Sequence, residues 1–283
     1  MGRCCGTRYA FRRSIAVIEN EPRGAAVWVT GAGGGIGRAV ARHLLSRGHR
    51  IFLTDLDERQ VVETARSWGS ERVSGFACDV ADPVACEDAV RHIVSEAGTL
   101  DVLFHSAATM RVHDVLDDSP DIWRSILRVN VEGTAIAGIA AARQMRGQKM
   151  HDLFQRRGLI INVGSPADLW PRPRYAAYGA SKAAVRHWTM SLAAALEPHA
   201  VSVALLYPGA VLDGMYRQIV EGEAALEGRN IEEIVIERAA QVPQGRYQNP
   251  EDIGPFVSDL IDHAGLRAAG KAVWTSPLIT DIA

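Results

Sequence analysis

Val27-Trp28-Val29-Thr30-Gly31-Ala32-Gly33-Gly34-Gly35-Ile36-Gly37-Arg38-Ala39-Val40 decides the fold, because an apolar β-rich run turns through a glycine cluster straight into a helical pattern. A second apolar run, Arg50-Ile51-Phe52-Leu53-Thr54, then ends in Asp55. That order describes a mononucleotide-binding unit. Gly31 allows the tight turn, Gly35 lets backbone approach a pyrophosphate, and Gly37 lets helix pack on strand, with free N–H groups at the helix start for phosphates. The spacing departs by one residue from plain G-x-G-x-x-G, and such a turn alone is a weak signal. Asp55 strengthens it, since a carboxylate there can accept hydrogen bonds from an adenosine ribose while repelling a 2'-phosphate. Gly34 leaves no cation inside the turn, so both features favour NAD over NADP. A solvated strand end is the plainer reading of Asp55.

Working outward, strand-like runs fall at 26–30, 50–54, 72–77, 101–104, 158–163, 201–206 and 271–274, and helical patterns near 36–48, 57–68, 83–97, 121–148, 176–197 and 250–263. Regular alternation of this kind predicts an α/β fold, a Rossmann-type doubly wound parallel sheet with helices on both faces. Ligands in such folds bind above the carboxyl ends of the strands. Between 213 and 245 the rhythm breaks into a Glu-rich stretch of helical periodicity with no strand. Insertions of this kind after a strand are usually lids, so it is read as a substrate lid within a catalytic domain spanning 25–283.

Hydrophobic content of 47 %, charged content of 23 % and 6 % aromatics describe an aliphatic-rich globular chain. Lys and Arg number 31 against 33 Asp and Glu, a net charge of -2 that gives nucleic acid no electrostatic footprint. No window approaches the roughly eighteen unbroken apolar residues of a membrane span. Cysteines at 4, 5, 78 and 86 lack zinc spacing, so no metal is expected and reduced thiols in a cytoplasmic protein are the natural reading. Residues 1–24 carry five arginines and no acid before Glu19. They match no secretory or myristoylation pattern and only weakly resemble a transit segment, so a flexible arm or an overlong start outside the domain is expected.

The chemistry concentrates in Asn162-Val163-Gly164-Ser165 and Tyr178-Gly179-Ala180-Ser181-Lys182. A four-residue step puts Tyr178 and Lys182 on one helical face, one turn apart. An ammonium beside a phenol favours phenolate, lowering its pKa from about 10, and a hydroxyl such as Ser165 can hydrogen-bond a substrate oxygen. Asn130 could anchor a water linking Lys182 to solvent. Taken singly, each of these has a dull explanation, and Tyr-x-x-x-Lys is usually a solvated pair. Their order behind the glycine turn and Asp55 is what singles them out.

With those motifs in place, the chain from about Ala25 to Trp274 resembles a short-chain dehydrogenase/reductase. Thr30 to Gly37 matches that family's TGxxxGxG turn, Cys78-Asp79-Val80 its adenine-contacting acid, and Pro208-Gly209 the turn after its sixth strand. Asn130, Ser165, Tyr178 and Lys182 fall on its catalytic Asn, Ser, Tyr and Lys. The resemblance implies reversible hydride transfer between NAD and an alcohol or ketone. In that scheme Tyr178 is the acid/base, Lys182 lowers its pKa and holds the nicotinamide ribose, Ser165 orients the substrate oxygen and Asn130 maintains a proton relay. It further implies cofactor contacts from Gly31, Gly33, Gly35, Ile36 and Gly37, from Asp55, Leu56, Asp79 and Val80, from Ser106 and Ala107, and from Pro208, Gly209, Val211 and Asp213. Homodimers or homotetramers are implied because relatives form them, through helices near 131–150 and 178–197.

Departures from the family pattern are equally specific. His105-Ser106-Ala107-Ala108 stands where Asn-Asn-Ala-Gly is usual, and His105 is read as structural. Asp213 replaces a Thr that bonds the nicotinamide carboxamide, and as a carboxylate it can accept but not donate. The connection through 144–157 is several residues longer than usual, predicting a helix about two turns longer near the family's dimer face. Trp274-Thr275-Ser276-Pro277 lacks the usual Asp-Gly-Gly close. Ala167, Trp170, Tyr175, Tyr207 and Met215 are expected to wall the substrate pocket with few charges, Arg172 and Arg174 being the nearest cations. The lid's layout is similar to that of the polyol and acetoin dehydrogenases, favouring a small secondary alcohol or polyol. The alternatives are a ketoreductase acting on a larger secondary-metabolite carbonyl and a non-catalytic NAD-binding sensor or scaffold.

Overall fold

The structure, a computed structural model, describes residues 24–241, 247–262 and the strand 272–274. The arm, the Gln244-Gly245-Arg246 segment and the tail beyond Trp274 lie outside the described residues. Strands β1 (Ala26–Thr30), β2 (Arg50–Asp55), β3 (Val73–Ala77), β4 (Val102–His105), β5 (Gly158–Val163), β6 (Val201–Tyr207) and β7 (Ala272–Trp274) form one sheet in the order β3-β2-β1-β4-β5-β6-β7. Every neighbouring pair is parallel. The doubly wound sheet expected from the alternation is therefore present, and strand order reverses between β1 and β4, where a crevice must open at the carboxyl ends.

Helices cover both faces, which is why the strands read as near-continuous apolar runs. Val27, Val29, Leu53 and Phe104 face a core shared with α1 (Gly35–Ser46) and α9 (Gly254–Asp262). Ala26, Trp28, Leu103 and Ile160 face the other core, closed by α3 (Pro83–Ala97), α5 (Gly133–Met145) and α6 (Ala176–Leu196). The remaining described helices are α2 (Glu58–Ser67), α4 (Pro120–Leu127), and the pair α7 (Gly214–Glu227) and α8 (Ile231–Gln241). None of the described helices is long and apolar enough to cross a membrane.

Two expectations need correction. The helical pattern over 121–148 is two helices joined by a π-helical turn at Arg128–Glu132, and α5 stops at Met145. The long connection after it does not extend α5. Gly147 and Gln148 fold back in turns, the Gln148 side chain donates to the carbonyls of Leu100 (2.8 Å) and Arg157 (2.7 Å), and Phe154 is buried in the core. Burying Phe154 and Leu153 under the amino ends of β4 and β5 holds this loop on the side of the sheet opposite the crevice.

Candidate active site

At the carboxyl ends of the strands lies a cleft of about 700 Å³. Its floor is the glycine turn between β1 and α1. Gly31 has φ +65°, and a Cβ there would stand 2.7 Å from the Ala107 Cα. A Cβ on Gly37 would fall 2.4 Å from the Gly31 carbonyl oxygen. Side chains are thus excluded where backbone must pass close to backbone. Gly34, at the N-cap of α1, gives that helix no side-chain cap, so its first N–H groups open into the cleft beside Ile36 and Gly37. Asp55 lines the same cleft, with its carboxylate held by the N–H groups of Gly33 (3.0 Å) and Leu56 (2.8 Å). Gly31, Gly35, Ser106, Pro208, Gly209, Val211 and Asp213 are also on the wall. A dinucleotide fits these residues: bare N–H donors at a helix start, a cradle that any Cβ would fill, and an acid at the end of β2.

Other expected cofactor residues stand off that wall. Leu56 is 76 % exposed next to Asp55, and Ala107 supports the turn from beneath. Val80 packs against Gly133 at the head of α5. Asp79 accepts from Ala81 N–H (2.9 Å) and from Arg128 (2.7 Å). Burial pushes its carboxyl up, but these two donors win and hold it below the usual range. Arg128, which the sequence reading passed over, thus already occupies one oxygen of the acid assigned to adenine.

Tyr178 and Lys182 project together from α6 into the cleft, with the Lys182 Nζ 5.7 Å from the phenol ring centre. The ammonium donates to the Val163 carbonyl at 2.9 Å. Ser165, after β5, lines the cleft beside Tyr178, and its hydroxyl favours the ionised phenol. Burial pushes Tyr178 up to about 12 against the effect of Ser165, with the negative charges of Asp213 and Asp168 adding to the rise. Burial also brings Lys182 down to about 8, opposed by Asp168. The protein alone therefore keeps the phenol protonated, whereas the sequence reading expects the ammonium to lower it. Spacing cannot reveal that both groups are buried away from water, and burial is what sets these shifts.

Asn130 lies in the π turn, fully buried, and every polar atom of its side chain is used. Its Oδ1 accepts from Thr109 N–H (2.7 Å), and its Nδ2 donates to the Thr109 carbonyl and the Ser181 hydroxyl, each at 2.9 Å. It ties the loop after β4 to α6. Its carbonyl accepts from the Thr134 hydroxyl at 2.6 Å.

The His105-Ser106 replacement is accounted for by contacts to β1. His105 Nδ1 pairs with the Thr30 hydroxyl at 2.9 Å, and Ser106 donates to the Thr30 carbonyl at 2.7 Å. Burial, then the charge of Lys182, drives the His105 pKa down to about 3, so the ring is neutral and braces the sheet. Asp213 caps α7, accepting from Tyr216 N–H at 2.9 Å, and its Cβ would stand 2.8 Å from a Cβ on Gly35. The helix pair α7–α8 therefore begins in contact with the glycine turn.

Ala167, Trp170, Tyr175 and Met215 line the cleft. Tyr207 does not. It is 1 % exposed, and its hydroxyl donates to Asp168 at 2.6 Å beneath the loop that follows Ser165. The wall also carries more charge than the sequence suggests. Glu223, Glu227, Arg229, Glu237 and Arg238 of the segment 214–241 face inward, with Glu223 paired to Arg238 and Arg229 to Glu237 at 2.6 Å. Only the folding of α7 against α8 turns these faces toward the cleft, although the Glu/Arg periodicity of 221–238 was a readable hint.

The short chain dehydrogenase family model matches residues 25–224. The chain belongs to the short-chain dehydrogenase family. It is 31 % identical over 258 residues to 2-(S)-hydroxypropyl-CoM dehydrogenase 3 of Xanthobacter autotrophicus, covering 90 % of this chain and 96 % of that protein. Among solved structures, an NAD+-bound xylitol dehydrogenase superposes with a TM-score of 0.82 at 28 % identity, covering 91 % of this chain and 99 % of that one. An actinorhodin polyketide ketoreductase with NADPH gives 0.78 at 26 % identity, with 89 % and 95 % covered. Family members thus occur with either nicotinamide cofactor.

Proposed function

We propose that this dehydrogenase transfers a hydride between NAD(H) and a small secondary alcohol or polyol and its ketone, in a domain beginning near Ala25. The observation that carries the reading is the convergence of Ser165, Tyr178 and Lys182 on one cleft with the bare helix start and Asp55. Gly34 to Gly37 would hold the pyrophosphate, Asp55 the adenosine ribose, and Lys182 the nicotinamide ribose. Once bound, the cofactor supplies the hydride acceptor or donor and, when oxidised, a positive ring charge.

Ser165 donates to the substrate oxygen and fixes its position next to Tyr178. In alcohol oxidation the Tyr178 oxygen accepts the hydroxyl proton, and in ketone reduction it returns one. A positive charge brought beside a phenol whose pKa is otherwise about 12 favours phenolate, so base strength develops only when the site is loaded for oxidation. Lys182, with its own pKa near 8, holds a proton one helical turn from the phenol, and Asn130 would anchor the water that links this pair to solvent.

The preference for NAD rests on Asp55, whose carboxylate is fixed by two N–H groups and cannot swing away from a 2'-phosphate. The likeness to a xylitol dehydrogenase supports a polyol or small alcohol. The likeness to a polyketide ketoreductase supports the second reading, a larger carbonyl substrate. Incubating the protein with NAD and a panel of secondary alcohols and polyols, and with NADH and cyclic ketones, should produce turnover with at least one small alcohol. Turnover confined to large ketones would favour the second reading. Tight NADH binding with no turnover of any panel member would mean a sensor or scaffold.

A further inference from the structure

Lys182, Arg186 and Tyr178 recur every four residues along one face of α6. Against that face lies the loop after Ser165, packed so closely that a Cβ on Gly179 would come within 2.8 Å of the Ala167 carbonyl oxygen. The loop carries Asp168, a carboxylate that the hydride-transfer chemistry does not use. Its side chain is 0 % exposed. One oxygen, Oδ2, accepts from the Tyr207 hydroxyl at 2.6 Å and from Arg186 Nε at 3.0 Å. The other, Oδ1, is buried with no hydrogen-bond partner.

A carboxylate kept out of water with one oxygen unsatisfied is costly unless its charge is used. The cations placed to use it are Arg186, 42 % exposed, and Lys182, 4 % exposed. Burial raises the Asp168 pKa, opposed by Tyr207, Arg186 and Lys182, and in return Asp168 raises that of Lys182. Tyr178 feels the same negative charge. On the far side of Lys182 there is no competing anion on β4 or β5: His105 is neutral and Val163 offers only a carbonyl.

The geometry points to Asp168 as a positioning residue, clasped by Tyr207 and Arg186, whose buried charge is the counter-ion that keeps the Lys182 ammonium in place beside Tyr178. This rests on the hydride-transfer reading only for its catalytic meaning. The electrostatic statement is testable without any substrate. Its neighbour Arg186 opposes it, since a second cation one turn from Lys182 disfavours the ammonium and offsets part of the carboxylate's field. Tyr207, which the sequence reading placed in the substrate wall, instead orients the counter-ion.

The chain has only three lysines, Lys149, Lys182 and Lys271, so its lysine side-chain signals can be followed individually. The full chain labelled with [13Cε]lysine is titrated by NMR, with Lys149→Arg and Lys271→Arg assigning the signals. Asp168→Asn should lower the Lys182 pKa by roughly one unit, and Arg186→Gln should raise it by a smaller amount. A loop brace acting only through packing predicts no movement in either variant. An unmoved Lys182 titration, or shifts of the same sign in both variants, would overturn the assignment. If Asp168→Asn does not fold, the double variant Asp168→Asn/Arg186→Gln, which removes the ion pair as a unit, is titrated against Arg186→Gln alone: a lower Lys182 pKa in the double variant supports the assignment, and an equal one overturns it. Failure of the hydride-transfer reading would appear elsewhere, as full turnover in Tyr178→Phe, so the two failures are separable.

Discussion

Replacing Gly31 with alanine tests the turn on which the cleft is built. At φ +65° an alanine costs about 1 to 2 kcal/mol in backbone strain. Its Cβ would also stand 2.7 Å from both the Cα and the N of Ala107, atoms of backbone that no rotamer change can move. Relieving that contact requires β1 and the loop after β4 to separate, an overpacking cost of about 1 to 3 kcal/mol. The sum, about 2 to 5 kcal/mol, corresponds to a fall in Tm of roughly 4 to 10 °C for a chain of this size. Ser106 moves with Ala107, and its 2.7 Å bond to the Thr30 carbonyl lengthens, so NADH affinity should also fall by about tenfold or more. Gly34→Ala is the control for stability alone, because its nearest contact is 3.4 Å and its φ is negative. Thermal melts and NADH fluorescence titrations on both variants read the two effects. A Gly31→Ala protein with wild-type Tm and NADH affinity would refute the close-approach reasoning, as would an equal loss of Tm in the control.

Asp55→Ala should narrow the ratio of kcat/KM for NAD over NADP by about tenfold or more, while an unchanged ratio would clear Asp55 of that role. His105 has its pKa driven from 6.5 to about 3 in the folded protein, so the unfolded chain binds the extra proton below 6.5. Folding stability should therefore fall with decreasing pH between 6.5 and about 3, by up to about 1.4 kcal/mol per unit, or about 2 kcal/mol at pH 5. His105→Asn should remove that component in urea unfolding at pH 7 and pH 5, and an identical pH slope in the variant would count against the buried neutral ring.

Most of the fold was legible because its signals are local. Glycines at 31, 35 and 37 and alternating runs at both faces of the sheet depend on chain neighbours alone. Ser165, Tyr178 and Lys182 were legible for the same reason, being fixed by spacing and by one helical face. What escaped the sequence reading depends on contacts between distant residues. Tyr207 looked like a wall residue until its hydroxyl was found on Asp168, 39 positions away. Arg128 meets Asp79 across 49 positions. The ends of α5 could not be read from periodicity either, because the apolar pattern continues through the π turn and past Met145, where Phe154 needs burial elsewhere.

The central claim is that the Tyr178 phenol moves the proton that accompanies hydride transfer. Tyr178→Phe removes one oxygen from a buried site and leaves the glycine turn, Asp55 and Lys182 in place. With NADH binding measured by fluorescence and turnover measured on the best alcohol of the panel, binding should stay within about threefold while kcat falls by about 100-fold or more. A variant that binds NADH and still oxidises the alcohol at a comparable rate would contradict the account.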